Sequence, residues 1–202
     1  MHATVVILTK LPGHLPVKTR LVGLLGEQGA RQAYVAMLEE TVSLARRIDP
    51  DPGLAYSPPD ADPEGALPSL SGCRFCPVQG DDGAACLENA LADAYVGYPL
   101  IALGGDAPDL PVERLRAGVE ACSGGTADAV LVPTPDGGFS SLALRRPVEG
   151  LARGFRYGGD DSLTSLCTFF EQRGLRVELT EPWPDVDTPD DYEAYLRRRR
   201  EQ

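Results

Sequence analysis

The sequence predicts an α/β protein with a mainly parallel sheet covered by helices, and three observations carry that expectation. Short apolar, β-branched runs alternate with longer stretches of helical spacing, the βαβαβ order that a parallel sheet requires. The runs end at loops rich in Gly, Pro and Asp, the residues that punctuate regular structure. The chain has 202 residues, 43% hydrophobic and 24% charged. That composition is soluble and supplies one core, so residues 1–202 are read as one domain.

Taken in order, Ala3–Thr9 (ATVVILT) is a buried first strand, followed by a loop from Lys10 to about Leu25. Gly26–Ile48 reads as a helix. Ala33, Met37, Leu38, Val42, Leu44 and Ala45 share a broad apolar face, with Arg31, Glu39, Glu40, Arg46 and Arg47 outside it. Asp49-Pro-Asp-Pro-Gly53 stops it. Gly53–Ser57 is a second strand, Pro58–Ser71 mostly loop, and Arg74–Val78 a third strand. Gly80-Asp-Asp-Gly83 opens a helix over Ala84–Val96. Pro99–Leu103 is a strongly apolar fourth strand that ends at Gly104-Gly105-Asp106, and Pro111–Cys122 is a helix with Pro in its first turn. Ala127–Val132 and Phe139–Leu144 are strands, Asp161–Gly174 a helix, and Leu175–Thr180 a strand with Leu175, Val177 and Leu179 alternating. Thr188 as N-cap, Pro189 at the first helical position and Asp191 at the third begin the last helix.

Nineteen basic residues against thirty acidic ones leave a net charge of −11, which argues against nucleic acid or an anionic membrane as partner. No run approaches the ~18 apolar residues of a membrane span, and MHATVVILT lacks the positive start of a signal peptide. Five cysteines, an odd number with no export signal, fit reduced thiols in a cytoplasm. Cys73-Arg-Phe-Cys76 lacks the further ligands of a zinc site, because His2 and His14 are the only histidines. The same shortage leaves no Ser/His/Asp triad. Arg197–Arg200 reads as a solvated helix end, and Tyr34, Tyr56 and Tyr95 as packing residues.

Ligands of such sheets bind beyond the carboxyl ends of the strands. That selects the loops Lys10–Arg20, Gly104–Leu110 and Pro133–Gly138, with Asp185–Thr188 able to join them. Lys10, Lys18 and Arg20 bring three cations to one loop of an acidic protein, a donor set for a phosphate chain. Neither GxxxxGK[ST] nor GxGxxG is present, and a solvated loop is the plainer reading. Asp106, beside two glycines after a buried strand, is the first choice of Mg²⁺ ligand, since that ion takes one or two carboxylates plus phosphate oxygens. The plainer role is a turn aspartate holding amides, and Asp109 reads as ordering the turn before the next helix. Gly137 and Gly138 permit close approach of a ligand, and Asp136 can accept from a substrate hydroxyl; the same Asp-Gly pair also suits a hairpin turn. Asp185 and Asp187 alternate around Val186 and share one face of an extended stretch. Either can complete a metal site with Asp106, or both serve the electrostatics of the helix start.

Four segments together, TKLPGHLPVKTRL (9–21), GGDAPDL (104–110), PDGGFSSLAL (135–144) and DVDTPDDY (185–192), span nearly the whole chain. In that order they resemble the bacterial DUF2064 group, often labelled glycosyltransferases or selenodomain/arsenosugar-associated transferases, within the nucleotide-diphospho-sugar transferase (GT-A) superfamily. A more distant likeness runs to the guanylyltransferases that make the phospholactate part of coenzyme F420. The resemblance implies a Rossmann-like three-layer α/β/α GT-A fold with a mainly parallel mixed sheet. It implies a nucleotide at the N-terminal strands, with Leu8 and Thr9 near the base and Lys10, Lys18 and Arg20 on the phosphates. It also implies a divalent cation, Mg²⁺ or Mn²⁺, held by Asp106, with the second carboxylate mapping best on Asp187. Two departures stand out. The group's Gly-Ser-Asp-Cys-Pro is Gly104-Gly-Asp-Ala-Pro108 here, and its Gln-Gly-x-Asp-Leu-Gly-x-Arg is Gln79-Gly-Asp-Asp-Gly-Ala-Ala-Cys86, without the arginine.

The expected activity is Mg²⁺-dependent transfer from a nucleotide donor, a nucleoside triphosphate or an NDP-sugar, with Lys18, Arg20 and Asp106 as catalytic residues. The cations Lys10, Lys18 and Arg20 favour nucleotidyl transfer onto a small phosphorylated acceptor, because a triphosphate has more leaving-group charge to neutralise. The group's usual label favours glycosyl transfer. Asp136, Gly137 and Gly138 border the acceptor in either case. The missing arginine motivates a competing class, a non-catalytic nucleotide-binding module. A phosphatase with Asp106 as nucleophile lacks the second aspartate of a DxD pattern.

Overall fold

The computed structural model describes residues 2–201. Seven strands form one sheet: β1 (Thr4–Lys10), β2 (Gly53–Ser57), β3 (Arg74–Pro77), β4 (Leu100–Gly104), β5 (Ala129–Pro133), β6 (Phe139–Leu144) and β7 (Val177–Leu179). Their order across the sheet is β3-β2-β1-β4-β6-β5-β7. Every pairing is parallel except those of β6, which runs antiparallel to both β4 and β5. The fold is therefore the expected mainly parallel, mixed sheet, and β6 is its single reversal.

Among the described residues seven α-helices accompany it: α1 (Val22–Ala45), α2 (Pro63–Ala66), α3 (Gly83–Ala94), α4 (Val112–Gly124), α5 (Leu151–Gly154), α6 (Ser162–Glu171) and α7 (Pro189–Glu201). The alternation of β1 explains why helices are needed on both faces. Val5 and Ile7 bury into a core with α1 and α4, whereas Val6 buries into a second core with α3, α5 and α6. A third cluster, of Met37, Val186 and Tyr195, fixes α7 and the segment before it to the outside of α1. No helix among the described residues is long and apolar enough to cross a membrane, and all five cysteines are free thiols.

Several boundaries differ from expectation for local reasons. The helix expected from Gly26 is preceded by a turn from Val22, and Gly26 itself (φ 71°, ψ 168°) breaks the two apart. Glycine alone adopts such a backbone without strain. The Pro58–Ser71 stretch contains α2, started by Asp62, whose side chain accepts from the Glu64 amide, and by Pro63 at the first helical position. The four-residue α5 went unforeseen because Gly150 leads into it with no side-chain cap. The last strand is limited to Val177–Leu179, an edge strand with a single neighbour, β5.

Candidate functional site

The carboxyl ends of β1, β2 and β4 open into a cleft of about 880 Å³, closed on one side by the β5–β6 turn and the segment before α7. All three selected loops meet there, with Asp185 and Asp187.

Asp106 follows β4 in a space kept by its two glycines. A Cβ on Gly104 would lie 2.6 Å from Asp106 Oδ1, and one on Gly105 would press on Leu38 at 3.2 Å. The Asp106 carbonyl accepts from the Val186 amide at 2.9 Å. Because Val186 is fully buried, the residues on either side of it turn toward the cleft. Carboxylate oxygens of Asp106, Asp185 and Asp187 thus lie within 4.8 Å of one another. Asp185 and Asp187 both stand beside Asp106. Burial raises the Asp185 carboxyl, and the nearby Asp106, Asp136 and Asp187 charges raise it further, to about 7. Thr188 caps α7 as expected: its hydroxyl accepts from the Asp191 amide at 3.3 Å, while its amide and hydroxyl donate back to Asp191 Oδ2 at 2.8 and 2.6 Å. Burial opposes ionisation of Asp191, but these bonds outweigh it and hold the carboxyl below its ordinary range.

Lys18 reaches into this corner. Its ammonium lies 2.6 Å from Asp187 Oδ1 and 3.1 Å from Asp106 Oδ2, with the side chain only 6% exposed. Burial by itself would lower the Lys18 pKa; the two carboxylates outweigh it and hold the ammonium above the ordinary lysine range. Lys18 is also the only non-glycine residue with positive φ among the described residues (φ 43°, ψ 46°), a conformation that costs roughly 1 kcal/mol. Arg20, 70% exposed, stands farther off, with Nη1 3.7 Å from Asp187 Oδ2. Lys10 borders the cleft from the end of β1.

Leu8 and Thr9 also border the cleft. The Thr9 hydroxyl is engaged by Tyr34, whose oxygen lies 2.7 Å away and also accepts from the Lys10 amide at 3.1 Å. Tyr34 packs as expected and additionally fixes the end of β1. At the other end, Asp136 does form the hairpin turn: its Oδ1 accepts from Thr134 Oγ1 at 2.5 Å and from the Gly138 amide at 3.1 Å. Gly137 (φ 90°) has the Asp160 carbonyl where a Cβ would project.

Asp109 departs from expectation. Instead of ordering the next turn, it binds Arg198 Nε at 2.6 Å and Trp183 Nε1 at 3.2 Å. The expected solvated arginine run therefore contributes two residues to fixing α7, Arg198 and Arg199, the latter with Nη2 2.6 Å from Glu40 Oε1. Cleft residues that sequence reasoning missed include Ser140, Tyr157 and Asp160. Cys86 borders the cleft from α3, so the three cations of the Lys10–Arg20 loop are the only lysines and arginines among the described cleft-lining residues.

A family model described as "Uncharacterized protein conserved in bacteria (DUF2064)" matches residues 41–159. No curated protein matches. Among solved structures, one similar fold is a Desulfovibrio desulfuricans G20 protein that carries the provisional label nucleotide-diphospho-sugar transferase. It is 24% identical over 98% of this chain and 88% of that one, with a TM-score of 0.84. CMP:2-keto-3-deoxy-manno-octonic acid synthetase, solved with CTP, is 15% identical over 100% of both chains, with a TM-score of 0.64. Rv0371c of Mycobacterium tuberculosis H37Rv, solved with manganese, is 21% identical over 98% and 99%, with a TM-score of 0.59.

Proposed function

The chain belongs to the DUF2064 family of bacterial proteins, and from that premise we propose that it is a metal-assisted transferase acting on a nucleotide donor. The observation that carries this reading is the triad Asp106, Asp185 and Asp187 facing the cationic loop Lys10–Arg20 within one cleft. Carboxylate oxygens alone are the donor set of a hard ion, Mg²⁺ or Mn²⁺, and Asp106 and Asp187, with Asp185 beside them, would hold it. A bound ion there neutralises phosphate charge in the donor. The CTP-bound and manganese-bound proteins of the same fold support the reading.

The chain's own residues do the rest. Lys18 and Arg20 supply charge-assisted hydrogen bonds to phosphate oxygens. Lys10 adds charge at the end of β1. Leu8 and Thr9 border the base, with Thr9 set by Tyr34. Asp136, Gly137 and Gly138 shape the acceptor end. In nucleotidyl transfer an acceptor oxygen bonds to the α-phosphorus as the bond to the β-phosphate oxygen breaks and pyrophosphate leaves. That displacement needs no protein nucleophile, and three cations on one loop favour it. Glycosyl transfer from an NDP-sugar is the second reading, favoured by the hydroxyl and aromatic lining around Ser140 and Tyr157.

A thermal-shift panel of nucleoside triphosphates and NDP-sugars, each with and without Mg²⁺ or Mn²⁺, tests this by mass action. The expected result is a metal-dependent rise in Tm with one triphosphate, lost in Asp106→Ala. A rise with NDP-sugars alone selects glycosyl transfer. No metal-dependent rise with any donor refutes the proposal.

A further inference from the structure

We propose that the end of the cleft lined by Phe139, Ser140, Tyr157 and Asp160 is a subsite for an uncharged, hydroxyl-bearing ring compound, a sugar or cyclic polyol, and not for a phosphorylated acceptor. Its role as the acceptor site rests on the transferase reading above; its chemistry rests on three separate observations.

The first is the partition of charge. The cleft's cations Lys10, Lys18 and Arg20 all come from the loop after β1. Among the described lining residues, β6 and the loop that carries Tyr157 contribute no lysine or arginine, and Asp136 and Asp160 add negative charge. A phosphate placed there meets carboxylates, and like charges at close range repel.

The second is an unmatched hydroxyl. Ser140 Oγ is the one buried side-chain polar atom without a hydrogen-bond partner among the described residues, and the residue is 3% exposed. Native proteins pair nearly all such groups, and an exception calls for a reason. The neighbouring hydroxyls are already engaged: Thr134 donates to Asp136, and Ser162 accepts from the Gly159 amide at 2.9 Å. Ser140 sits at the start of β6, next to the end of β4, with its backbone carbonyl 3.8 Å from where a Cβ on Gly104 would project. The hydroxyl is thus left without a partner just beneath the cleft floor, and a ligand hydroxyl would meet it once a small rotation of the serine uncovers it.

The third is an aromatic wall. Tyr157 is 46% exposed and is braced edge-on by Phe139 and Phe155, with centroids 6.3 and 6.0 Å away. Its ring lies against Gly83, where any side chain would overlap it. An exposed ring braced by two others, in the same cleft as a hydroxyl without a partner, suits a flat C–H surface edged with hydroxyl groups.

Saturation-transfer NMR on the full chain in Mg²⁺ buffer tests this with glucose, mannose and myo-inositol against glucose 6-phosphate and mannose 6-phosphate. The expected result is transfer to the neutral compounds from the protein's aromatic protons. Transfer should be abolished in Tyr157→Leu and weakened severalfold in Ser140→Ala, with each hexose phosphate bound more weakly than its parent. Ser140→Ala is close to isosteric, so it keeps the test decisive if the tyrosine variant fails to fold. Tighter binding of the phosphates, absence of binding by every neutral compound, or indifference to both substitutions would overturn the subsite. If hexose binding holds while no nucleotide shifts the Tm, the transferase reading falls and the subsite stands. If a nucleotide shifts the Tm but no neutral ring binds, only the subsite falls.

Discussion

Replacing Lys18 with methionine removes a buried ammonium and leaves its carboxylates in place. Breaking one side of a buried ion pair costs roughly 3–5 kcal/mol when both groups are fully buried. Here the lysine is 6% exposed, but Asp106 and Asp187 are 32% and 40% exposed, so water takes over part of the solvation and the cost falls to about 1–3 kcal/mol. For a chain of this size that corresponds to a drop of about 3–10 °C in Tm. The loss should be reversible by a divalent cation. Mn²⁺ at a hundredfold its dissociation constant stabilises the folded state by about 2.7 kcal/mol, and in Lys18→Met it has no ammonium to displace. The assay is thermal unfolding of wild type and variant at pH 8 across a Mn²⁺ titration. The variant should melt lower without metal and gain more from it than the wild type does. Equal gains in the two proteins would refute the idea that the ammonium and the ion share one place, and an unchanged metal-free Tm would show that the ion pair carries no stability.

Further outcomes follow from other residues. The Asp185 carboxyl, raised to about 7 by burial and by Asp106, Asp136 and Asp187, keeps its proton in the folded chain at pH values where the unfolded one has lost it. Stability therefore falls as pH rises from the ordinary carboxylate range toward 7. Asp185→Asn should remove that fall, so metal-free Tm profiles should coincide near pH 4 and favour the variant near pH 8. Gly137→Ala (φ 90°) drives a Cβ toward the Asp160 carbonyl, whereas Gly97→Ala (φ 92°) meets nothing within 4 Å. Urea unfolding should show a cost of about 1 kcal/mol for Gly97→Ala from backbone strain alone and at least twice that for Gly137→Ala. Ser140→Ala removes a hydroxyl that has no partner and should stabilise the chain by about 1 kcal/mol, read as a rise in urea midpoint at constant m-value.

The strands were legible because buried parallel strands are written as continuous apolar runs, and ATVVILT and YPLIALGG need no distant partner to be read. The place of β6 between β4 and β5 was not, because Asp136-Gly137 specifies a local hairpin and says nothing about which distant strand lies on its other side. The candidate site divides in the same way. Asp106, Asp187 and the three cations stand in loops that strand ends select, and the capping of α7 by Thr188 and Asp191 is a local pattern. The contacts of Lys18 with carboxylates 88 and 169 positions away are fixed by topology alone. Tyr157 and Ser140 carry no local signal, since their place at the cleft depends on the loop after α5 folding back over Gly83 and on β6 lying beside β4. The pairing of Asp109 with Arg198 was hidden likewise, a residue in an apparently solvated run having its partner on a remote loop.

The segment from Trp183 onward adds no strand to the sheet. It is tied on by the Trp183 amide to Pro133 at 2.8 Å, the Val186 amide to Asp106 at 2.9 Å, Tyr195 to Glu40 at 2.7 Å and Arg198 to Asp109 at 2.6 Å. Glu181 and Pro182 just before it are exposed. The protein is thus divisible at one surface joint into a body that keeps every strand and Asp106, and a short C-terminal peptide that keeps Asp185 and Asp187. Neither fragment owns the carboxylate triad; only their reunion does. That makes the joint a natural place to build a split reporter, in which reassembly of two pieces is read out as recovery of the native Tm and, on the proposal above, of its response to Mn²⁺.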